Sequence, residues 1–282
     1  MKQAVKRVVR TVQRAEYAIS APERALTRRG ILSSDKLALP QFLGLGAPKA
    51  GSTWLHHCLA AHPGVFVPPE KELHYFCHFY HHSLRWYAGH FDAAGDRLRG
   101  EVTPNYSELT PDRIDVVADL LPDARLLLMI RHPVDRAWSH AQMNVARQRN
   151  RPVDSVPVSE YIAHARSAHS LDSGDYEGIV DRWKKRYPAE RLWVDSYDRM
   201  VSDPKALLTS LFDFLGVGTD VDWSTFPLDT VIDRGAPGAD LVGSRGGGSA
   251  MPTELEAELR AMYAPRIERM KERFGDLVAD WE

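Results

Sequence analysis

Short apolar runs recur along this chain, and each is followed by a segment with the composition of a helix. The first run, Phe42–Leu45, ends in a loop with glycine and proline, and Ser52–Ala61 behind it favours a helix. A second run, Arg125–Ile130, is stopped by Arg131–Pro133 and precedes a helical stretch over Val134–Ala146. The pattern predicts two strand–loop–helix units with buried strands.

The same order returns later in the chain. Leu192–Val194 predicts a third strand, and Asp203–Gly216 predicts a helix with proline near its start and glycine at its end. Glu101–Val102 supplies a further short strand. Gly235–Pro252 has the composition of a loop, and a charged amphipathic helix over Thr253–Phe274 closes the chain.

Strands that alternate with helices indicate an α/β protein. We expect a P-loop-like, three-layer α/β/α fold with a central, mainly parallel sheet flanked by helices. Ligands of such folds bind outside the carboxyl ends of the strands. The segments after Phe42–Leu45 and Arg125–Ile130 lie at those ends, so we searched them first for functional residues.

The composition fits one large domain. A chain of 282 residues, 44% of them hydrophobic and 26% charged, can bury a full core, and we expect a single domain over residues 41–282. The formal net charge of −2 gives no overall attraction to nucleic acid, which we do not expect as a partner. Cys58 and Cys77 follow no metal-ligand spacing and cannot form a disulfide framework. We therefore expect no metal and a reducing, cytoplasmic location, since no membrane span or signal peptide is evident.

Residues 1–40 differ from the rest and predict a basic, helical N-terminal extension. Val5, Val8, Val9 and Val12 have the spacing of one helix face, and basic residues occupy the other positions. Such a helix could rest on an anionic membrane or a partner through residues 1–30. It could equally be a mobile or core-packed helix, because four valines make a small apolar face.

The loop after the first strand has features of a phosphate-binding loop. Gly46 and Gly51 are spaced like the two glycines of a P-loop, whose backbone N–H groups hold phosphate at a helix start. Ser52 stands where a nucleoside-triphosphate site has its lysine, and the lysine lies inside the loop at Lys49. Together with Thr53 these residues offer one cation and several donors to an anion. Alone, the loop also fits a glycine–proline turn before a capped helix.

A second anion-binding element follows the second strand. Arg131 ends this strand and Ser139 lies two turns along the next helix, so both side chains could reach a second phosphate. A magnesium-binding Walker B strand would end in aspartate, whereas arginine binds an anion without a metal. The alternative is an arginine paired with a helix carboxylate such as Asp135.

Taken together, these segments resemble the sulfotransferases that use 3'-phosphoadenosine-5'-phosphosulfate (PAPS), and most closely the heparan sulfate glucosaminyl N- and 3-O-sulfotransferase type. The resemblance runs from about Phe42 to the end of the chain. Its marks, in chain order, are Gly46–Thr53, Leu59–Pro63, Glu70–Phe76, Glu101–Tyr106, Arg131–Ser139, Tyr176–Trp183 and Asp198–Pro204.

This resemblance implies an enzyme that passes the sulfonate of PAPS to a hydroxyl or amine, releases 3'-phosphoadenosine-5'-phosphate (PAP) and requires no metal. Lys49 would neutralise the leaving phosphate oxygen, Glu72 would be the general base, and His74 would orient Glu72 or touch the substrate. Without the neighbouring motifs, Glu70–Glu72 would be read as a solvated turn. The implied cofactor-binding residues are Lys49, Ala50, Gly51, Ser52, Thr53, Trp54, Arg131, Ser139, Ser244, Arg245 and Gly246.

Several of these assignments have alternatives. Trp54 would lie near the adenine or simply in the core, and Ser244–Gly246, which loosely resembles a loop that closes over the nucleotide, could be a flexible surface loop. Val102 stands where the 3-O-sulfotransferases have an active-site lysine, and their cysteine pair and membrane anchor are absent. We therefore expect an intracellular, bacterial enzyme whose acceptor is a sugar, glycolipid, lipid or secondary metabolite.

Two other functions remain open on the sequence alone. The first is a P-loop kinase that uses ATP and magnesium, with Leu192–Asp195 as its Walker B strand; the missing Gly-Lys-[Ser/Thr] counts against it. The second is a non-catalytic nucleotide-binding protein that docks to a membrane or partner through its basic N-terminus. The presence of both Lys49 and Glu72 argues against that function.

Overall fold

Five short strands form the centre of the fold. The computed structural model describes residues 37–228 and 250–282. The strands are β1 (Phe42–Gly46), β2 (Val65–Phe66), β3 (Leu98–Val102), β4 (Arg125–Ile130) and β5 (Leu192–Ser196). Every residue of β1 is buried, as is every residue of β4 except Arg125. Strands that are apolar on both faces lie inside parallel sheets covered by helices on each side.

The sheet has the order β2-β3-β1-β4-β5, and all its strands are parallel. Leu43 in the central strand lies opposite Glu101 on one side and Leu126 on the other. The chain fills one side of β1 with β2 and β3 and then crosses to the other side for β4 and β5. This change of direction opens a crevice at the carboxyl ends of β1 and β4, where ligands of such sheets bind.

Ten α-helices surround the sheet within the described residues. They are α1 (Ser52–Ala61), α2 (Leu84–Gly89), α3 (Pro111–Leu120), α4 (Pro133–Ala141), α5 (Val158–Ala165), α6 (Ala168–Ser173), α7 (Tyr176–Lys184), α8 (Tyr197–Ser202), α9 (Pro204–Leu215) and α10 (Thr253–Phe274). The predicted three-layer α/β/α fold with a parallel sheet is confirmed. None of the described helices has the length and apolar character needed to cross a bilayer.

The predicted helix ends follow from local chemistry. Asp203 accepts a hydrogen bond from the backbone N–H of Ala206 at 3.1 Å and caps α9, which Gly216 ends with φ 67°. The predicted regular helix over Val134–Ala146 is wrong in its last part, because α4 ends at Ala141 and continues as a π-helical turn. In that turn the Asn144 side-chain amide donates to the carbonyl oxygen of His140 at 3.0 Å. This oxygen is the one to which the backbone N–H of Asn144 would donate in an α-helix, so the side chain competes with the backbone.

Two predicted features lie outside the described residues. They are the basic N-terminal helix, apart from its last few residues, and the loop segment Ser244–Gly246.

Substitution of Gly46, the last residue of β1, tests how closely the backbone packs where the strand enters the loop. Its φ is 127°, and a Cβ at this position would lie 2.6 Å from the carbonyl oxygen of Pro104. We expect Gly46→Ala to lower the free energy of unfolding by about 3 kcal/mol, because backbone strain and a steric clash add. Gly95→Ala is the control, since Gly95 has φ 59° but its Cβ would meet no atom within 4 Å. It should lose about 1 kcal/mol in urea denaturation, and equal losses in the two variants would contradict this account.

Candidate active site

The loop between β1 and α1 is fastened to the sheet and turns sharply into the helix. The backbone N–H of Ala47 donates to the carbonyl oxygen of Met129 in β4 at 2.8 Å. Lys49 has φ 70° and Gly51 has φ 91°. Gly51 has no side chain to cap α1, and the first turn of the helix contains no acidic residue. The helix therefore begins as anion-binding helices do, with its positive end open to an external acceptor.

Arg131 lies directly after β4, beside this loop. Its Nη1 donates to the carbonyl oxygen of Lys49 at 3.2 Å, and its guanidinium carbon lies 4.3 Å from the centre of the Tyr197 ring. The Tyr176 hydroxyl donates to the backbone carbonyl of Arg131 at 2.8 Å and accepts from its N–H at 3.2 Å. The Nε atom is buried without a hydrogen-bond partner. The guanidinium is thus held in place with a donor left over, which suits an anionic ligand.

Lys71 connects the Glu72 carboxylate to the two hydroxyl residues at the end of the loop. The Lys71 ammonium lies 3.2 Å from the Glu72 carboxylate and 3.5 Å from the hydroxyl oxygens of Ser52 and Thr53. The Lys71 side chain is 2% exposed and that of Glu72 is 25% exposed, whereas Glu70 is exposed. The solvated-turn interpretation therefore fails for Lys71 and Glu72, and Lys71 links the carboxylate to the start of α1.

His74 completes this cluster. Its Nε2 lies 3.2 Å from the second carboxylate oxygen of Glu72. Burial lowers the pKa of His74, and the neighbouring His78 and Lys71 add to this effect while Glu72 opposes it. The imidazole is therefore mainly neutral at pH 7, and in one of its two tautomers it donates Nε2–H to Glu72.

The backbone of His74 is held in a positive-φ conformation by a buried network. With φ 52°, its N–H donates to the hydroxyl oxygen of Thr103 at 3.3 Å. The Thr103 hydroxyl donates to the Glu101 carboxylate at 2.6 Å, as do those of Tyr87 at 2.6 Å and Tyr106 at 2.7 Å. Glu101 is 1% exposed. Burial raises its pKa, although the three hydroxyl donors oppose this effect.

Three further residues with predicted roles lie in other parts of the structure than the cluster of Lys71, Glu72 and His74. They are Lys49, Ser139 and Trp54. Lys49 lies in the loop, where its carbonyl oxygen accepts from Nη1 of Arg131 at 3.2 Å. Ser139 is half-buried on α4. Trp54 is 2% exposed, and its indole N–H donates to the carbonyl oxygen of Pro227 at 2.8 Å. It therefore holds the backbone at Pro227, and its adenine contact stays a prediction.

Sequence reasoning missed two functional residues. Lys71 was part of the Glu70–Phe76 motif but received no role, although its position one residue before the expected base was a signal. Glu101 was taken only as part of a strand. Its role depends on Tyr87 and Tyr106, which come from separate elements, so no local pattern could show it.

The site combines a glycine-containing anion loop at the switch point of a parallel sheet, an arginine directly after the neighbouring strand, and a carboxylate linked to the loop through Lys71. This arrangement is typical of P-loop-like nucleotide-binding proteins. Comparison with known proteins narrows this class. The sequence profile described as "Sulfotransferase family" matches residues 75–221, and the chain belongs to this family.

Individual relatives agree with this assignment. The chain is 31% identical over 193 residues to heparan sulfate glucosamine 3-O-sulfotransferase 3B1 of Mus musculus, an alignment that covers 64% of this chain and 46% of that protein. It is 34% identical over 113 residues to membrane-associated sulfotransferase kil1 of Dictyostelium discoideum, covering 39% of this chain and 24% of that protein. The chain thus spans half or less of the length of these relatives.

A solved structure shows the same fold. The crystal structure of a sulfotransferase from Alicyclobacillus acidocaldarius matches with a TM-score of 0.63 and 26% identity, over 84% of this chain and 96% of that one. Because nearly all of that protein is covered, the likeness includes the whole sulfotransferase fold and not only the phosphate loop.

Titration of Glu101 offers a test of the buried network. Because its pKa is raised above the unfolded value of 4.5, it contributes stability that is complete below that value and is lost as pH rises through the folded pKa. Glu101→Gln removes the titration, so the stability of the wild type relative to this variant should be greater near about pH 5 than near about pH 8. Urea denaturation of both proteins at the two pH values measures the difference.

A constant difference between the two proteins would show that Glu101 titrates normally. Glu108→Gln serves as the control, because Glu108 is a partly buried carboxylate that contacts Ser173 and His169 outside this network.

Proposed function

We propose that this chain transfers the sulfonate of PAPS to an acceptor hydroxyl or amine. The observation that carries the proposal is the position of Lys71, whose ammonium contacts both the hydroxyls at the start of α1 and the carboxylate of Glu72. An anion on Ser52 and Thr53 would lie next to a carboxylate that can accept a proton. Sulfonate transfer to a hydroxyl needs this pair of features, a donor-binding loop and a base beside it.

In the proposed reaction the acceptor oxygen attacks sulfur in line with the leaving group. A sulfur–oxygen bond to the acceptor forms, the bond from sulfur to the bridging phosphate oxygen breaks, and the acceptor proton passes to Glu72. The backbone and hydroxyls of Ala50–Thr53 hold the phosphosulfate. Lys49 stabilises the negative charge that develops on the leaving phosphate oxygen.

Lys71 adds a second cation to this scheme. In the structure it is shared between Glu72 and the two hydroxyls. An incoming sulfonate would compete with Glu72 for the ammonium, because both are anions within its reach. Binding of the donor would thus draw Lys71 towards the sulfonate and leave the carboxylate free to accept a proton.

Arg131 and Ser139 are proposed to bind the 3'-phosphate, which distinguishes PAPS from ATP-like nucleotides. The unpaired Nε of Arg131 supports this role. Lys49 and Arg131 would then join the two phosphate sites, since the Arg131 guanidinium already contacts the Lys49 carbonyl. Ser244–Gly246 would close over the nucleotide from the other side.

The acceptor is proposed to be a hydroxyl of a sugar, glycolipid, lipid or secondary metabolite. The named relatives include heparan sulfate sulfotransferases, which supports a carbohydrate. Phe79 and Trp86, each 38% exposed, are the exposed large hydrophobic residues of the described chain. They follow Glu72 closely in sequence, and their ring centres are 6.2 Å apart, so they offer a stacking surface for an acceptor ring.

The structure argues against the kinase alternative, because the aspartate that would bind magnesium is already engaged in other interactions. Asp195, the aspartate of the supposed Walker B strand, is 1% exposed and pairs with Arg199 at 2.8 Å. It also accepts from the backbone N–H of Ser196 at 2.7 Å. Moreover, β5 is an edge strand separated from β1 by β4. A carboxylate in that position supports the local turn rather than a magnesium ion beside the loop.

The 3'-phosphate assignment can be tested by binding without turnover. We expect Arg131→Ala to weaken PAP binding about 10- to 100-fold, the value of one charge-assisted contact. Binding of AMP, which lacks the 3'-phosphate, should change little. Isothermal titration of both ligands measures this difference, and Arg149→Ala, an arginine that is 60% exposed, is the control. Wild-type preference for ATP with magnesium over PAP would overturn the proposed function.

The catalytic assignment depends on two matched carboxylates. We expect Glu72→Gln to reduce kcat by about 100-fold or more, because the amide cannot accept the proton. Glu70→Gln, two residues away and exposed, should keep wild-type kcat. Lys49→Ala should reduce kcat about 100- to 1000-fold if the ammonium acts on the leaving oxygen. PAPS turnover with a panel of sugar and lipid hydroxyls measures these rates, and full activity in both Glu72→Gln and Lys49→Ala would refute the mechanism.

A further inference from the structure

A cluster of metal-ligating side chains lies immediately beside the proposed base. His74, Cys77 and His78 each offer one ligand atom, and these atoms all lie within 4.8 Å of one another. The Cys77 sulfur is 3.4 Å from Nδ1 of His74, and the ring centres of His74 and His78 are 4.7 Å apart. The sequence analysis missed this cluster because it considered only the spacing between the two cysteines.

The backbone prearranges the three side chains. The N–H groups of Cys77, His78 and Phe79 all donate to the carbonyl oxygen of His74, at 3.2, 2.8 and 3.0 Å. This turn fixes the three ligand residues relative to one another before any ion binds. The three ligands lie within five consecutive residues, in the order His-x-x-Cys-His. Distant segments of the chain therefore need not move for an ion to bind.

The distance between the Cys77 sulfur and Nδ1 of His74 suits a tetrahedral ion. With zinc–sulfur and zinc–nitrogen bonds of about 2.3 and 2.05 Å, sulfur and nitrogen ligands of one tetrahedral ion lie about 3.6 Å apart. The observed separation of Cys77 sulfur and His74 Nδ1 is 3.4 Å. Cys77 is half-buried and His78 is exposed, so the cluster is open to solvent and leaves a fourth position for water.

The second nitrogen of His74 has the partner that metal-bound histidines usually have. Its Nε2 lies 3.2 Å from the Glu72 carboxylate. Metal-bound imidazoles commonly donate their other N–H to a carboxylate, which fixes the tautomer and orients the ring. Here that carboxylate is the proposed base.

We propose that His74, Cys77 and His78 form a site for zinc or a similar thiophilic divalent cation, and that an ion there inhibits transfer. The ion displaces the thiol proton of Cys77 to solvent and bonds to the thiolate, Nδ1 of His74 and His78. Nε2 of His74 then keeps its proton and donates a hydrogen bond to the Glu72 carboxylate, which lies 3.2 Å away. Because the ion fixes the imidazole, this hydrogen bond holds the carboxylate in place and keeps that oxygen from receiving the proton of the acceptor. This inhibitory effect rests on the proposed function, whereas the metal site itself does not.

The first experiment tests the site without enzymatic activity. All twelve histidines and both cysteines of the chain lie in its described parts. Within those parts, His74, Cys77 and His78 form the group of at least three potential ligands whose ligand atoms converge. The experiment therefore uses the tag-free, reduced full chain. Titration with Co²⁺ should give one equivalent bound, with a thiolate-to-cobalt absorption band. Cys77→Ala should lose the band, and Cys58→Ala, which removes the buried second thiol, should keep it. A band that persists in Cys77→Ala, or no band in the wild type, would overturn the site.

The second experiment tests the effect on transfer. Zinc should inhibit PAPS turnover by the wild type, and a chelator should restore it. His78→Ala should keep its metal-free turnover and need at least about tenfold more zinc for the same inhibition, since even indirect partners of a metal contribute 10- to 100-fold in affinity. His90→Ala is the matched control. Equal sensitivity of His78→Ala and the wild type would overturn the inhibitory role. Absence of turnover in metal-free wild type would instead count against sulfonate transfer, and the cobalt titration would still decide the metal site.

Discussion

The buried carboxylate of Glu101 is the interaction on which the arrangement of the site depends. A carboxylate with 1% exposure costs several kcal/mol unless hydrogen bonds replace its water. Those bonds come from Tyr87, Thr103 and Tyr106, which lie in α2, at the end of β3 and in the turn that follows it. All three elements must therefore pack together for the carboxylate to be satisfied. Thr103 carries the constraint further, because its hydroxyl also accepts from the backbone of His74.

This network positions the proposed base, Glu72, relative to the candidate anion loop, which belongs to a different element. The loop is tied to β4 through Ala47, while the Glu72 segment is tied to β3 through Thr103. Since β1 lies between β3 and β4, the sheet itself sets the separation of the loop and the proposed base. Lys71 spans the remaining gap with an ammonium that is nearly inaccessible to water, where charge interactions are stronger than at the surface.

The sequence predicted the parts of the fold that have strong local causes. β1 and β4 are continuous buried runs, α9 has an aspartate cap and a terminal glycine, and α10 has a long helical pattern. By contrast, β2 has two residues and leaves no pattern, and it pairs only because β3 lies beside it.

The site likewise contains residues with a local sequence signal and residues whose role depends on distant parts of the fold. Lys49, Glu72 and Arg131 could be proposed from motifs, because an anion loop, an acidic residue and a strand-end arginine each have a recognisable local context. The role of Lys71 depends on burial, and a Glu-Lys-Glu sequence gives no sign that its lysine is enclosed. The ligand cluster depends on the turn geometry around His74, whose positive φ is imposed by Thr103 from across the sheet.

The turn from His74 to Phe79 joins properties that would otherwise be independent. Three N–H groups converge on the His74 carbonyl, so hydrogen bonds connect the residues of the turn. One end of the turn contacts Glu72 through the imidazole, and the ring of Phe79 at the other end lies 6.2 Å from that of Trp86. Under the proposed function, an acceptor that stacks on these rings and an ion held by Cys77 and His78 would both bind to the backbone segment that positions Glu72. The position of the proposed base would then depend on what binds to this turn, because one hydrogen-bonded segment carries all of these groups.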